Sequence, residues 1–206
     1  MNLLTADGHT LEAEWVAPVG ARRTAVLCHP HPQYGGTMRS IVISALFEAL
    51  PKLGIACLRF NFRGVEGSEG SHTEGRDEPH DVIAAIDAAT ATAASAGIDG
   101  PLALIGWSFG ADIALGINDP RLAGWVGIAP PLRFRPQSVY DIVARDPRPK
   151  LLVLAAHDEF RSPEEISGET SAWEATRIEI VAGASHFFVG RTERVATLVG
   201  DFALQL

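Results

Sequence analysis

The chain is short of cysteine, short of positive charge and without any long apolar run, and each shortage excludes something. Its two cysteines, Cys28 and Cys57, both fall inside apolar, strand-like runs, so they read as buried reduced thiols and not as a disulfide framework. A formal net charge of -8 and a pI near 5.3 argue against a nucleic-acid-binding surface or a general affinity for anionic membranes. Small molecules are the expected partners. No window approaches the roughly 20 apolar residues of a membrane-spanning helix, and the first eight residues carry neither a basic segment nor a sustained apolar stretch, so the expected compartment is the cytoplasm. Internal repeats and low-complexity segments are also missing. With 206 residues and 47% hydrophobic content, the chain is long enough for one domain, 1–206, with a substantial core and little left for a second.

What is there alternates between strand-like and helix-like segments. Asn2 to Val16 reads as an antiparallel hairpin turning at Asp7-Gly8, with Leu11, Ala13 and Trp15 on one face and Glu12 and Glu14 on the other. Thr24 to His29, Ile55 to Phe60, Pro101 to Ile105, Leu122 to Ile128, Lys150 to Ala156 and Arg177 to Val181 read as strands. Several are too uniformly apolar to be half exposed, as expected for parallel strands covered on both faces. Ser40 to Leu50, Asp77 to Ala96 and Thr192 to Leu204 read as helices between them. This order predicts an α/β fold with a mainly parallel central sheet, helices on both faces and an N-terminal antiparallel hairpin. Between Pro130 and Pro149 five prolines leave room for only a short helix around Ser138 to Ala144, so no large cap domain is expected.

Functional groups in such sheets gather at the carboxyl ends of the strands. The run ending in Gly106-Trp107-Ser108-Phe109-Gly110 leads straight into a helix-forming segment. A serine flanked by glycines at a strand-to-helix turn is a nucleophile elbow: the serine sits at strained φ/ψ and the glycines let neighbouring backbone approach. The residue after it, Phe109, would offer a backbone N–H at the helix start, where a developing oxyanion is stabilised. Asp158 and His186 each follow a later strand. A serine hydroxyl needs a base within reach, an imidazole serves near neutral pH, and a carboxylate fixes the tautomer of that imidazole. Glu159 is the rival acid; Asp158 is preferred because it comes first after its strand.

The order Ser108, Asp158, His186 and the blocks around it resemble a family. His29 to Gly36 (His-Pro-His-Pro-x-x-Gly-Gly), Arg59 to Val65, the Gly-x-Ser-x-Gly elbow at Gly106 to Gly110, Asp158-Glu159, and Gly183 to Phe188 are similar, over nearly the whole chain, to small bacterial α/β-hydrolases of the dienelactone-hydrolase-like type. The departure is Ser185, where related sequences commonly carry an acidic residue. The resemblance implies an α/β-hydrolase fold and a triad of Ser108, Asp158 and His186. It also implies an oxyanion hole made by Phe109 and the His29–Gly36 loop, whose non-proline donors are His31 or Gln33, with His31 preferred.

His29 and His31, alternate residues of an extended segment, could face the same way toward a metal. Further ligands in the spacing of known zinc sites are missing, so no metal and no cofactor is expected. Arg133 and Arg135 lie on a loop at the expected mouth of the site, either as a solvated pair or as attractors of a substrate carboxylate. The expected activity is that of a serine hydrolase of carboxylesterase type on short, water-soluble esters. Thioesterase or lactone-hydrolase chemistry would use the same residues, and a non-catalytic binding module on the same fold is the alternative from another class.

Overall fold

The computed structural model describes residues 1–206. Eight strands form one sheet: β1 (Asn2–Leu4), β2 (Thr10–Val16), β3 (Arg23–Cys28), β4 (Ile55–Phe60), β5 (Leu102–Trp107), β6 (Leu122–Ile128), β7 (Lys150–Ala155) and β8 (Thr176–Val181). Their order across the sheet is β1-β2-β4-β3-β5-β6-β7-β8. The hairpin β1-β2 is antiparallel and adds antiparallel to β4, while all pairs from β4 to β8 are parallel. Parallel neighbours need long crossovers, and these supply the helices α1 (Ile41–Ala49), α2 (Glu78–Ser95), α3 (Phe109–Ala114), α4 (Gln137–Ala144) and α5 (Pro163–Glu169), while α6 (Thr192–Ala203) follows the last strand.

The uniformly apolar strands are explained by where their alternate residues go. In β3, Val26 and Cys28 join the core under α2, α3 and α4, while Ala25 and Leu27 join the core under α1 and α6. Leu104 and Ile105 divide in the same way in β5. Both faces of the pleat are thus buried, and no position can be polar without cost. Cys28 and Cys57 are free thiols in these layers, and burial pushes both thiols well above their ordinary pKa.

Boundaries differ from the sequence expectation at two places. Helix α1 does not simply stop at Pro51: a 3-10 turn, Leu50–Leu53, carries the chain through it to Gly54. Helix α5 was not expected at all, although Ser162 and Glu165 form a reciprocal capping box around Pro163, a readable start signal. Between β6 and β7 the proline-rich segment holds only the short α4, which packs Tyr140 and Val143 into the core. No helix is long and apolar enough to cross a membrane.

Candidate active site

The turn between β5 and α3 is a single residue, Ser108, at φ 55 and ψ -120. The flanking glycines make that possible by close approach. A Cβ on Gly106 would lie 2.2 Å from the Gly110 carbonyl oxygen, and a Cβ on Gly110 would lie 2.4 Å from the carbonyl oxygens of both Cys28 and His29. The elbow is therefore packed backbone to backbone against the end of β3. Its serine is pinned by a 2.8 Å bond from its N–H to the Ile128 carbonyl.

Two further strand ends converge on this hydroxyl. His186, in the turn after β8, places Nε2 2.8 Å from Ser108 Oγ. Its Nδ1 lies 2.8 Å from Asp158 Oδ2 and 3.1 Å from Oδ1. A carboxylate only accepts, so Nδ1 carries the proton and Nε2 is free to accept from the serine. Asp158 is itself oriented: Oδ1 accepts the N–H groups of Phe160 at 2.9 Å and Arg161 at 3.3 Å. Glu159, the rival acid, points elsewhere and accepts the backbone N–H of His186 at 2.9 Å. The Trp107 indole donates to the His186 carbonyl at 3.2 Å, so the histidine is held through its backbone as well as its ring. Phe160 packs edge-on against that ring at 4.6 Å between centroids.

The His29–Gly36 segment divides its two histidines. His29 turns inward and is fully buried, where Nδ1 donates to the Pro30 carbonyl at 2.6 Å and Nε2 accepts the Phe62 N–H at 3.0 Å. Burial pushes its pKa down to about 3, so it is a neutral brace between two loops. The expectation that His29 and His31 could share a face fails here, because both nitrogens of His29 are engaged. Beyond it, Pro32–Tyr34 make a 3-10 turn in which the N–H groups of Tyr34 and Gly36 donate to the His31 carbonyl. The Gln33 N–H is turned onto His31 Nδ1 at 3.3 Å. The His31 N–H has no acceptor within the protein; the Phe109 N–H, first in α3, lies among a helix's orphan donors.

A cleft of about 410 Å³ opens above the serine, with Tyr34, Trp107, Phe134, Phe160 and Phe187 along its walls and no acidic residue among its lining. Arg133 reaches it. Arg135 does not, because its guanidinium donates to the Gly75 carbonyl. The wall loop is built on Asp112, a buried carboxylate of α3 that accepts the N–H groups of Leu132 at 2.8 Å, Arg133 at 2.8 Å and Phe134 at 3.0 Å. Burial raises its pKa to about 6. Nothing in the sequence marked Asp112 beyond an acid on an otherwise apolar helix.

Residues 22–202 match the α/β hydrolase domain family. The chain belongs to this family. A serine hydrolase homologue from Coxiella burnetii is 30% identical, with a TM-score of 0.85 over 98% of this chain and 95% of its own. An α/β serine hydrolase without a lid from Xanthomonas campestris is 26% identical, with a TM-score of 0.81 over 100% of this chain and 92% of its own. An uncharacterised protein of Rickettsia prowazekii is 28% identical over 190 residues, which is 88% of this chain and 79% of that relative. The α/β-hydrolase fold implied by the resemblance is therefore the fold of this chain, with its N-terminal hairpin and without a large cap.

Proposed function

We propose that this α/β-hydrolase is a serine esterase in which Ser108 is the nucleophile, His186 the general base and acid, and Asp158 the group that orients the imidazole. The observation that carries this reading is the unbroken relay from Asp158 through His186 to Ser108, with 2.8 Å contacts at both ends of the ring. Ser108 Oγ attacks the ester carbonyl carbon while its proton passes to His186 Nε2. The tetrahedral oxyanion accepts the N–H groups of His31 and Phe109, two donors that no protein group uses. Gln33 is left out of this hole, since its N–H is spent on the His31 ring. Collapse expels the alkoxide, which takes the proton from Nε2; water, deprotonated by His186, then releases the acyl group and returns Ser108.

The five sequence blocks support placing the chain in the dienelactone-hydrolase-like subgroup, and the two buried free thiols fit a reducing compartment such as the cytoplasm. The substrates proposed are short, water-soluble esters. The cleft falls at the small end of ligand sites, and without a lid it offers little surface for a long acyl tail, where each buried methylene would add about 0.8 kcal/mol. Its aromatic walls suit a compact acyl or alcohol group. In the test, Ser108→Ala should lose esterase activity by roughly 10³-fold or more and should not be labelled by a fluorophosphonate. On a graded ester series, kcat/KM should stop rising beyond about six acyl carbons. Wild-type turnover by the alanine variant would overturn the mechanism, and a steady rise through long chains would overturn the substrate class.

A further inference from the structure

The ring of His31 leaves the cleft loop and meets two residues of the segment between β4 and α2. His31 Nε2 lies 3.5 Å from Glu74 Oε2, and His72 Nε2 lies 3.4 Å from Glu74 Oε1. The two imidazoles pack edge to face, 4.6 Å between centroids. One ligand atom from each of the three residues falls within 4.8 Å of the others. The side chains of His31 and His72 are only 8% and 7% exposed, whereas that of Glu74 is 59% exposed. The buried Nε2 of His72 makes no hydrogen bond within the protein. A buried imidazole nitrogen without a partner is costly and asks for an explanation.

The surroundings of His72 prepare it as a ligand. Buried Glu78 sets its Oε1 2.8 Å from Nδ1, which favours the proton there and leaves the Nε2 lone pair facing Glu74. A carboxylate behind a histidine is the arrangement that orients metal-bound imidazoles. Glu78 also accepts the Thr73 N–H and hydroxyl, both at 2.7 Å, and the Gly75 N–H at 2.8 Å. The backbone on either side of Glu74 is fixed by those bonds. As the molecule stands, an imidazole lone pair and a carboxylate oxygen face each other at 3.4 Å. A proton or a metal cation between them makes that contact attractive.

We propose that His31 Nε2, His72 Nε2 and Glu74 form a binding site for a divalent cation of the zinc class, independent of the esterase reading. Two imidazole nitrogens and one carboxylate suit zinc and its neighbours and not magnesium or calcium, which prefer all-oxygen shells. Tetrahedral bonds of about 2.0–2.1 Å require ligand atoms roughly 3.4 Å apart; Glu74 already stands 3.5 Å from His31 through Oε2 and 3.4 Å from His72 through Oε1, and with one atom from each residue the three fall within 4.8 Å, so a small turn of the exposed carboxylate closes the set on an ion. The fourth position is left for water. Charge is favourable on balance: Glu74 at the ion and Glu78 behind His72 stand against the Arg133 guanidinium near His31. Binding at His31 Nε2 moves the ring proton to Nδ1 and gives up the long 3.3 Å bond from Gln33. The ion would thereby tie the cleft loop to the loop that crosses over it.

The test uses the full chain stripped with a chelator and titrated with Co²⁺, then Zn²⁺. One equivalent of Co²⁺ should bind with the intense visible absorption of a four-coordinate site, and Zn²⁺ should displace it. At about 100 times its Kd, Zn²⁺ should raise the melting temperature by roughly 5 °C or more. Glu74→Gln and His72→Asn should abolish both effects, while His9→Asn, remote in sequence, should keep them. Glu74 is solvent-facing, so Glu74→Gln should melt like the metal-free wild type and decides the matter even if His72→Asn fails to fold. Absence of saturable one-equivalent binding in the wild type, or its persistence in Glu74→Gln, would overturn the site.

Discussion

Asp158→Asn separates orientation of the base from everything else in the site, and its outcome can be worked from three distances. The Asn side chain has one accepting oxygen and one donating NH₂, and two places to put them. The Oδ1 position accepts two backbone N–H groups, from Phe160 at 2.9 Å and Arg161 at 3.3 Å, while the Oδ2 position faces His186 Nδ1 at 2.8 Å. Turning the NH₂ toward the two backbone donors would lose both bonds, at about 1–3 kcal/mol each. The oxygen therefore stays with the backbone, and the NH₂ faces Nδ1. That forces the ring proton onto Nε2, directly opposite Ser108 Oγ, where a base is needed. A flip penalty of about 2–6 kcal/mol leaves a few per cent or less of the productive tautomer, so kcat should fall at least about 30-fold, toward the roughly 10⁴-fold seen when a triad aspartate is amidated elsewhere. Glu159 cannot step in, because it is bound to the His186 N–H. Steady-state kinetics on a short ester, with the rate of fluorophosphonate labelling alongside, read this out; KM and the melting temperature should barely change. A loss below tenfold with an intact fold would refute the assigned role of Asp158.

Two buried groups make opposite contributions to stability in acid. The His29 pKa is held at about 3 against an ordinary 6.5, so only the unfolded chain takes that proton and stability is lost as pH falls from about 7 toward 3. The Asp112 pKa is raised from 3.8 to about 6, so the folded chain binds that proton more tightly and stability is gained as pH falls from about 6 to 4; at about 1.4 kcal/mol per unit this is on the order of 3 kcal/mol. Asp112→Asn should therefore lose stability more steeply than wild type between pH 6 and 4 in urea unfolding, and parallel slopes would contradict the assignment. Arg133 lines the cleft without an ion-pair partner, so Arg133→Gln should reduce kcat/KM for an ester bearing a free carboxylate by roughly two- to fivefold relative to its neutral counterpart, an effect that shrinks with salt. Equal changes on both substrates would leave Arg133 a solvated surface group.

Ser108, Asp158 and His186 could be read from the sequence because β-α alternation sends every parallel strand's carboxyl end to one edge, so residues far apart in the chain share a rim. The glycines of the elbow were legible for a similar reason: close backbone contact admits no other residue. The sequence favoured His31 over Gln33 as the proposed oxyanion donor but could not show the 3-10 turn from Pro32 that folds the Gln33 N–H back onto an imidazole. His72 and Glu74 escaped because sequence spacing carries no record of one loop crossing another. Arg133 and Arg135, two residues apart and so expected to share a face in an extended loop, part company because the Arg135 guanidinium is tied to the Gly75 carbonyl. The aromatic walls come from Trp107 at the end of β5 and from loop residues beyond other strand ends, where apolar side chains give no periodic signal.

The backbone of Ser108 has one further consequence. At φ 55 and ψ -120 a side chain is crowded and glycine is at ease, a difference of order 1–3 kcal/mol. Ser108→Gly would thus discard the proposed nucleophile and still yield a sturdier molecule. A library of this gene screened for expression or heat resistance alone would drift toward glycine at that position, enriching inert proteins. Only a screen that also counts turnover would keep the serine, so the most robust version of this chain and the working version are different sequences.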